Sequence, residues 1–275
     1  MYNTSGEPVS SECRAETFAQ HLETVQWRVR HVTLVPDVSP ALHASLPVKE
    51  EAFTAEELLK AIAKMKNNKA VKENDIPAEA YKALAAEQGI AFCWVLDFCN
   101  LCWTSKTVPH DWAVSSVAMI YKKGDPGFCD NYRPICLLSI ANKIFASMLK
   151  QRLLDAGVDG AIWPSQFGFR EGCSTEDAIF IARRRIELAR AQRTGSVSLL
   201  ALDWAKAFDS INVVSLLDAL RRAGLPTAFL DMVQGMLSAR RFYVRDFGGT
   251  SDEYDQLSGI SQGCTLSPLL FIIAM

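Results

Sequence analysis

Apolar residues recur at helical spacing along most of this chain. In the segment FTAEELLKAIAKMK, Leu58, Ile62 and Met65 fall on one face of a helix. Thr54, with Glu57 three residues later, predicts a capping box at its start. The same spacing predicts further helices from Pro77 onward, at 84–104, 139–157, 174–195, 212–223 and 226–238, and from Ser267 to the last residue.

Three segments have the character of strands. Residues 109–125 alternate between apolar and polar side chains and end in a turn, and residues 197–203 form an apolar run that predicts a buried strand. Residues 240–260 predict a hairpin that turns at Gly248-Gly249. A few strands among many helices predict an α+β fold, and we expect these strands to be antiparallel.

The overall composition says little about function, but the distribution of charge along the chain is more informative. The 275 residues are 49% hydrophobic and 22% charged, with a formal net charge of -2 that gives no sign of a polyanionic partner. Residues 112–195, however, carry 12 basic and 8 acidic side chains, a net charge of +4. The flanking segments are acidic. A basic middle between acidic flanks suits a protein that contacts phosphates with one part and a metal with another, although a solvated surface gives the same pattern.

The cysteines, the N-terminal segment and the longest apolar run indicate the cellular compartment to expect. The eight cysteines lie mostly among apolar neighbours, so we expect reduced thiols in an intracellular protein, cytoplasmic or nuclear. Cys99 and Cys102 also fit a zinc or redox module, but no second pair stands at ligand spacing. The N-terminus lacks a secretory signal pattern, and the longest apolar run is too short to span a bilayer.

Asp203 is the first candidate for chemistry. It follows the predicted strand 197–203, and a carboxylate at the end of a core strand is well placed to bind a hard divalent cation. A cap on the turn that leaves the strand is the other interpretation. Asp209 comes six residues later, and we predict a role in the turn and in capping the next helix.

Two further segments are candidates for phosphate binding. In GISQGCTLSPLLF, glycines on either side of Gln262 lead into a helix N-terminus, which favours a nucleotide phosphate or a template strand. In YKKGDPGFCDNYRPICLLS, Lys122, Lys123 and Arg133 form a cationic cluster that suits a triphosphate. An ordinary loop and a charged hairpin tip are the respective alternatives.

A fourth segment, SQFGFREGCSTEDAIFIARRR, mixes aromatic and basic residues. Phe167, Phe169 and Arg170 offer a stacking surface beside a cation, and Arg183 and Arg184 follow on the next helix. Stacking combined with phosphate contacts is what a single-stranded template requires. A solvated helix face is the other meaning of such an arginine run.

Taken together, four segments of the chain resemble a known family. NYRPICLLSIANKIFASMLKQRL, QFGFREGCSTEDAI, LALDWAKAFDSIN and GISQGCTLSPLLF occur in the order of the conserved blocks of reverse transcriptases, and at similar spacing. They are most similar to those of non-LTR retrotransposons. The resemblance covers roughly residues 50–275 and is densest from about residue 110 onward.

The resemblance implies a right-hand polymerase with an α+β fold. It places the fingers at 110–195 and a partial palm at 196–275, after an N-terminal extension (1–48) and a helical region (49–109). The implied reaction is RNA-directed DNA synthesis by two-metal nucleotidyl transfer, with Mg²⁺ as cofactor. The implied partners are an RNA template, a DNA primer and dNTPs.

The resemblance also assigns roles to individual residues. Asp203 matches the first metal-binding aspartate, and the backbone carbonyl of Trp204 is a further expected ligand. Phe208 matches the aromatic residue that lies under the incoming sugar and screens for a missing 2′-hydroxyl. The nucleotide-binding residues implied in this way are Lys122, Lys123, Arg133, Trp204, Lys206, Ala207, Phe208, Gln262 and Gly263.

This chain departs from the family pattern in two places. Family members typically have Lys-Ala-Pro-Gly-Pro-Asp-Gly where this chain has KAVKEND at 69–75, so the turn there should differ. In the block around Gln262, Ser261 stands where a basic residue is common and Thr265 where proline is common. Neither change alters an expected ligand.

The second pair of metal carboxylates in the family lies in an Ala-Asp-Asp hairpin, which we expect beyond Met275. With Asp203 as the only expected carboxylate ligand, we predict that residues 1–275 alone do not extend a primer. The alternative is a catalytically silent retroelement remnant that acts at most as an RNA- or protein-binding module.

Overall fold

The computed structural model describes residues 1–3, 5–29, 40–192, 194–247 and 249–275. The helices in these residues are α1 (Arg14–His21), α2 (Ala55–Ala63), α3 (Ala78–Glu87), α4 (Ile90–Ser105), α5 (His110–Ala113), α6 (Ile140–Asp155), α7 (Thr175–Ala191), α8 (Val213–Arg222), α9 (Thr227–Leu237) and α10 (Ser267–Ala274). The strands are β1 (Val114–Tyr121), β2 (Tyr132–Leu137), β3 (Arg241–Asp246), β4 (Gly249–Thr250) and β5 (Tyr254–Asp255). The α+β class is confirmed.

Local capping sets the starts of two helices as the sequence predicts. At α2, the Glu57 backbone N–H donates to Thr54 Oγ1 at 3.3 Å, and the Thr54 N–H donates to Glu57 Oε2 at 2.8 Å. Ser174 and Asp177 form the same reciprocal pair at α7. Each box satisfies backbone donors that the first helical turn leaves unpaired.

The described strands form one mixed sheet with the order β2-β1-β3-β4, and β5 also pairs with β3. β1 and β2 are antiparallel, as are β3 and its hairpin partners, but β1 and β3 are parallel, with Val117 opposite Val244. The expectation of antiparallel strands alone was therefore wrong. About 120 residues, which include β2 and several helices, separate β1 from β3, and a long connection of this kind permits parallel pairing. The predicted hairpin forms, although Gly248 itself lies outside the described residues.

The predicted buried strand at 197–203 is not observed. These residues have no regular secondary structure, and Leu199, Leu200 and Leu202 are 75%, 80% and 78% exposed. An apolar run forms a strand only where a neighbouring strand pairs with its backbone and another layer covers its side chains. In the described part of the chain, no strand pairs with this segment.

The larger core lies among the helices. It combines α6 with α2, α4, α8, α9 and α10, and Phe145, Ile144 and Leu149 on α6 are fully buried at its centre. Arg152 on α6 connects this core to α2 and to the segment before it, because its guanidinium donates to Glu57 at 2.6 and 3.0 Å and stacks over Phe53. Arg152 is 2% exposed and the Glu57 side chain 19%, so this ion pair is largely buried.

The smaller core lies between the sheet and the N-terminal residues. Phe18 and Leu22 are fully buried against Val117, Phe242 and neighbouring side chains. A π-helical turn (Leu22–Gln26) continues α1 and leads to Trp27. The N-terminal segment is thus packed directly on the sheet. No helix in the described residues is both long and apolar enough to cross a membrane.

Candidate functional site

A cavity of about 470 Å³ opens where the β1–β2 connection, the segment 203–209 and the loop before α10 meet. Most of the predicted nucleotide-binding residues line it. The predicted residues on its wall are Lys122, Arg133, Phe169, Asp203, Trp204, Lys206, Ala207, Phe208 and Gln262. Lys123 and Gly263 do not line it. The fold therefore brings together side chains that are up to 140 positions apart in the sequence.

Lys122 and Arg133 supply positive charge on one side of the cavity. Lys122 directly follows β1, where its backbone N–H donates to the carbonyl of Asn131 at 2.8 Å. Arg133 lies on β2 opposite Ile120. Both side chains are exposed, and neither forms an ion pair with another described residue. They are available to an anionic ligand.

Lys206, by contrast, is already paired. Its Nζ lies 2.7 Å from Asp130 Oδ1, and that hydrogen bond holds the pKa of Asp130 below its usual value. His21 Nε2 lies 3.4 Å from the same oxygen. Burial lowers the pKa of His21, so the neutral imidazole is favoured. Lys206 is thus held by a carboxylate within the cavity wall.

Phe208 lies in a row of three aromatic rings. Its ring stacks on Phe271 of α10, with centroids 4.7 Å apart and planes 10° apart, and meets Phe169 edge-on at 5.8 Å. Offset and edge-to-face pairs of this kind restrain ring orientation. The row fixes Phe208 in the cavity wall.

Asp203 and Trp204 lie at the open side of the cavity and are both exposed. Of the other carboxylates there, Asp130 is paired with Lys206 and Asp209 is buried. Within the described residues, no group of three or more His, Cys, Asp or Glu side chains is arranged to hold a metal ion. The carboxylate of Asp203 fits one ligand position of a hydrated divalent cation, with the remaining positions left to water or substrate oxygens.

The loop before α10 is held against β2 by its backbone. The Cys136 N–H donates to the Gln262 carbonyl at 2.9 Å. At Gly263 the chain has φ +132°, and a Cβ built there would overlap the carbonyl oxygen of Cys136. Glycine is therefore required by both conformation and space. Gly263 places Gln262 in the cavity wall without lining the cavity itself.

Asp209 has a role that the sequence did not reveal. The predicted capping role is wrong, because Asn212 caps α8 by accepting hydrogen bonds from the N–H groups of Val214 and Ser215. Asp209 is instead 3% exposed, and its two carboxylate oxygens accept from Trp27 and Gln262. Trp27 is 182 positions away, so no local pattern predicts this contact.

Most of the predicted template-binding residues lie away from the cavity. Phe169 lines it, whereas the half-buried Phe167 does not. Arg170 lies 3.8 Å from Asp159. Arg183 and Arg184 on α7 both pair with one carboxylate, Glu187, whose pKa is lowered by these hydrogen bonds. None of the residues of α7 is buried.

The cysteine pair considered for zinc lies inside the helical core. Cys99 and Cys102 are buried on α4, and burial raises the pKa of the Cys99 thiol to about 12. A metal binds the thiolate, so this environment favours a core thiol.

The cavity and the sequence blocks agree with the comparisons to known proteins. Residues 120–275 match the family model described as reverse transcriptase (RNA-dependent DNA polymerase), and the chain belongs to this family. It is 27% identical to the "Probable RNA-directed DNA polymerase from transposon BS" of Drosophila melanogaster, over 96% of this chain and 29% of that protein. It is 29% identical to the corresponding X-element protein of the same species, over 94% of this chain and 29% of that protein.

A third relative is the "Retrovirus-related Pol polyprotein from type-2 retrotransposable element R2DM" of Drosophila melanogaster. It is 29% identical over 66% of this chain and 17% of its own length. The chain thus spans less than a third of each of these three relatives. It contains a reverse transcriptase domain of the non-LTR retrotransposon type.

Proposed function

We propose that the cavity binds an incoming deoxynucleoside triphosphate and that the chain contributes this site to an RNA-directed DNA polymerase. The observation that carries the proposal is the convergence of Lys122, Arg133, Asp203, Phe208 and Gln262 on one cavity. A triphosphate requires cations, a sugar requires a flat apolar contact, and a base requires a polar contact. The cavity wall offers all three.

Each side chain has a specific task in this proposal. Lys122 and Arg133 bind the triphosphate, and Phe208 lies under the sugar and selects against a 2′-hydroxyl. Gln262 contacts the nucleotide. Asp203, with the backbone carbonyl of Trp204, holds hydrated Mg²⁺ beside the phosphates. When bound, the metal supplies charge stabilisation for nucleotidyl transfer.

The wider assignment belongs to the same proposal. Residues 110–195 act as fingers and 196–275 as part of the palm, after a helical region (49–109) and an N-terminal extension (1–48). An RNA template and a DNA primer are the proposed partners, in an intracellular compartment, cytoplasmic or nuclear. The proposed template contacts are Phe167, Phe169, Arg170, Arg183 and Arg184.

We further propose that residues 1–275 by themselves bind a nucleotide but do not extend a primer. Among the described residues, Asp203 is the one exposed cavity carboxylate without a paired cation, and two Mg²⁺ ions need more oxygen ligands than it offers. The alternative, a silent module that binds RNA, is favoured by α7, whose arginines are exposed and none of whose residues is buried. The polymerase function requires that the chain bind a dNTP, whereas the silent RNA-binding module does not.

The test is calorimetric titration of residues 1–275 with a dNTP in Mg²⁺ buffer. We expect binding that Lys122→Ala and Arg133→Ala each weaken by about tenfold, since each removes a charge-assisted phosphate contact. Lys123→Ala is the matched control, because the adjacent lysine does not line the cavity. Asp203→Asn should abolish the part of the affinity that depends on Mg²⁺.

Three results would contradict these proposals. Equal effects of Lys122→Ala and Lys123→Ala would mean that general surface charge, and not the cavity, attracts the nucleotide. Binding of RNA oligonucleotides without any dNTP binding would support the silent module. Template-dependent primer extension by residues 1–275 would contradict the predicted inactivity.

A further inference from the structure

Asp209 connects the N-terminal segment to the loop before α10. Trp27 Nε1–H donates to Asp209 Oδ1 at 2.8 Å, and Gln262 Nε2–H donates to Oδ2 at 2.7 Å. The carboxylate is buried, and burial raises its pKa, opposed by hydrogen bonds from these donors. One side chain thus bridges residues 27 and 262, which are 235 positions apart in the sequence.

The carboxylate determines how the Gln262 amide is oriented. Because Asp209 Oδ2 accepts from Nε2, the amide of Gln262 has its NH₂ group toward Asp209 and its Oε1 as the remaining acceptor. The Gln262 backbone is held independently through its carbonyl, which accepts from the Cys136 N–H. The side-chain rotation therefore depends mainly on Asp209.

Close packing leaves the Asp209 backbone little room to shift. Gly259 has φ +77°, and a Cβ there would lie 2.8 Å from Asp209 Cα. The Gly259 N–H donates to the Ile211 carbonyl at 2.7 Å, and the Ile260 N–H donates to that of Phe208 at 2.9 Å. The Asp209 backbone is held on both sides. The orientation of its carboxylate therefore depends on Trp27, and the orientation of the Gln262 amide depends on that carboxylate.

Trp27 is itself held rigidly. It is 1% exposed, and its ring meets Phe242 of β3 edge-on at 4.6 Å. The helix before it is fastened to the β3–β5 hairpin at several points. Arg14 pairs with Asp246, and the carboxylate of Glu16 accepts from the Tyr254 hydroxyl and the Asp252 N–H.

We propose that Trp27 is a positioning residue for the nucleotide site, and that it acts through Asp209 to orient the amide of Gln262. The inference rests on the proposed function, because Gln262 is taken to contact the incoming dNTP. It assigns to the N-terminal segment a part in nucleotide binding, in which Trp27 acts without lining the cavity, whereas the neighbouring Gln26 does line it. Loss of the indole N–H removes one donor to this carboxylate, which also accepts from Gln26 and Gln262, and so weakens the restraint on Asp209 and on the amide.

The test is a double-mutant cycle on dNTP affinity with residues 1–275. Trp27→Phe keeps an aromatic ring beside Phe242 and removes the N–H donor together with the rest of the five-membered ring, so we expect about threefold to tenfold weaker binding. In a Gln262→Ala background the same substitution should have no further effect. Trp94→Phe is the matched control, because Trp94 on α4 is 70% exposed and does not line the cavity.

A second readout does not depend on the nucleotide. In ¹⁵N spectra, the side-chain NH₂ signals of Gln262, assigned by their loss in Gln262→Ala, should shift in Trp27→Phe and stay unchanged in Trp94→Phe. Independent, multiplicative effects of Trp27→Phe and Gln262→Ala on affinity would overturn the inference, as would unchanged Gln262 signals in Trp27→Phe. If the wild-type chain binds no dNTP while the signals still shift, the positioning of Gln262 stands and the nucleotide function fails.

Discussion

Lys206 Nζ lies 2.7 Å from Asp130 Oδ1 in the wall of the cavity that we assign to the nucleotide. The two residues are 76 positions apart, and their contact joins the β1–β2 connection to the segment that follows Asp203. A triphosphate entering the cavity would meet a lysine that already has a carboxylate partner. The pair therefore reduces the positive charge available to the ligand.

Replacing Asp130 with asparagine should strengthen dNTP binding. The amide still accepts a hydrogen bond from Lys206, but the negative charge is gone, so we expect about a threefold to fivefold lower Kd, in keeping with the modest strength of an exposed pair. Calorimetric titration in low salt measures the change. Asp97→Asn, an exposed change on α4, is the control. Weaker binding by Asp130→Asn would show that the pair organises the site.

Replacing Gly263 with alanine should destabilise the protein and the nucleotide site together. The added methyl group would overlap the Cys136 carbonyl at a positive φ, so we expect a loss of about 1–3 kcal/mol in the free energy of unfolding. Urea denaturation measures it. Gly160→Ala is the control, since a Cβ there meets nothing within 4 Å. Equal stability of the two variants would contradict the close approach.

Replacing Arg152 with methionine should cost about 3–5 kcal/mol of unfolding free energy, because the Glu57 carboxylate would lose its partner in a largely buried pair. The loss would also free backbone carbonyls that Arg152 now satisfies. Lys60→Met breaks an exposed ion pair on α2, the helix that contains Glu57, and should leave the denaturation midpoint unchanged. A similar midpoint for both variants would mean that the pair of Arg152 and Glu57 does not stabilise the fold.

The stability of the protein should depend on the ionisation of Asp209. Burial raises its folded-state pKa, so its contribution to stability is complete below the unfolded value and is lost as pH rises through the folded value. Wild-type protein should therefore lose stability relative to Asp209→Asn as the buffer pH is raised from about 4, near the ordinary aspartate pKa, to about 7. Urea denaturation of both proteins across this range measures the difference. A constant difference would mean that the carboxylate titrates as it does in the unfolded chain.

At residues 199–202 the sequence predicts a buried strand, whereas the structure has exposed leucines, and the two can be distinguished by mutation. The three leucines there are at least 75% exposed, so replacing Leu199, Leu200 and Leu202 with serine should leave the unfolding free energy within about 0.5 kcal/mol of wild type. Light scattering should show less aggregation, because an exposed apolar patch is removed. Marked destabilisation would instead support the buried strand that the sequence predicts.

The helices could be predicted because their signals are local. The capping boxes at Thr54 and Ser174 and the apolar spacing on α2 and α6 lie within a few residues of each element, and the structure has all of them. The prediction of a strand at 197–203 was wrong because strand formation depends on a partner strand elsewhere in the chain, which is not a local signal. The parallel pairing of β1 with β3 has no local signal either.

The sequence by itself determined the family, the candidate residues of the proposed nucleotide site and most helix positions, because each depends on residue type and short-range spacing. Only the tertiary structure decided which candidates share a cavity, that Asp130 holds Lys206, and that Asp209 is buried between Trp27 and Gln262. Those contacts join residues from 53 to 182 positions apart. A contact at that distance depends on the packing of whole elements, which no short pattern in the chain encodes.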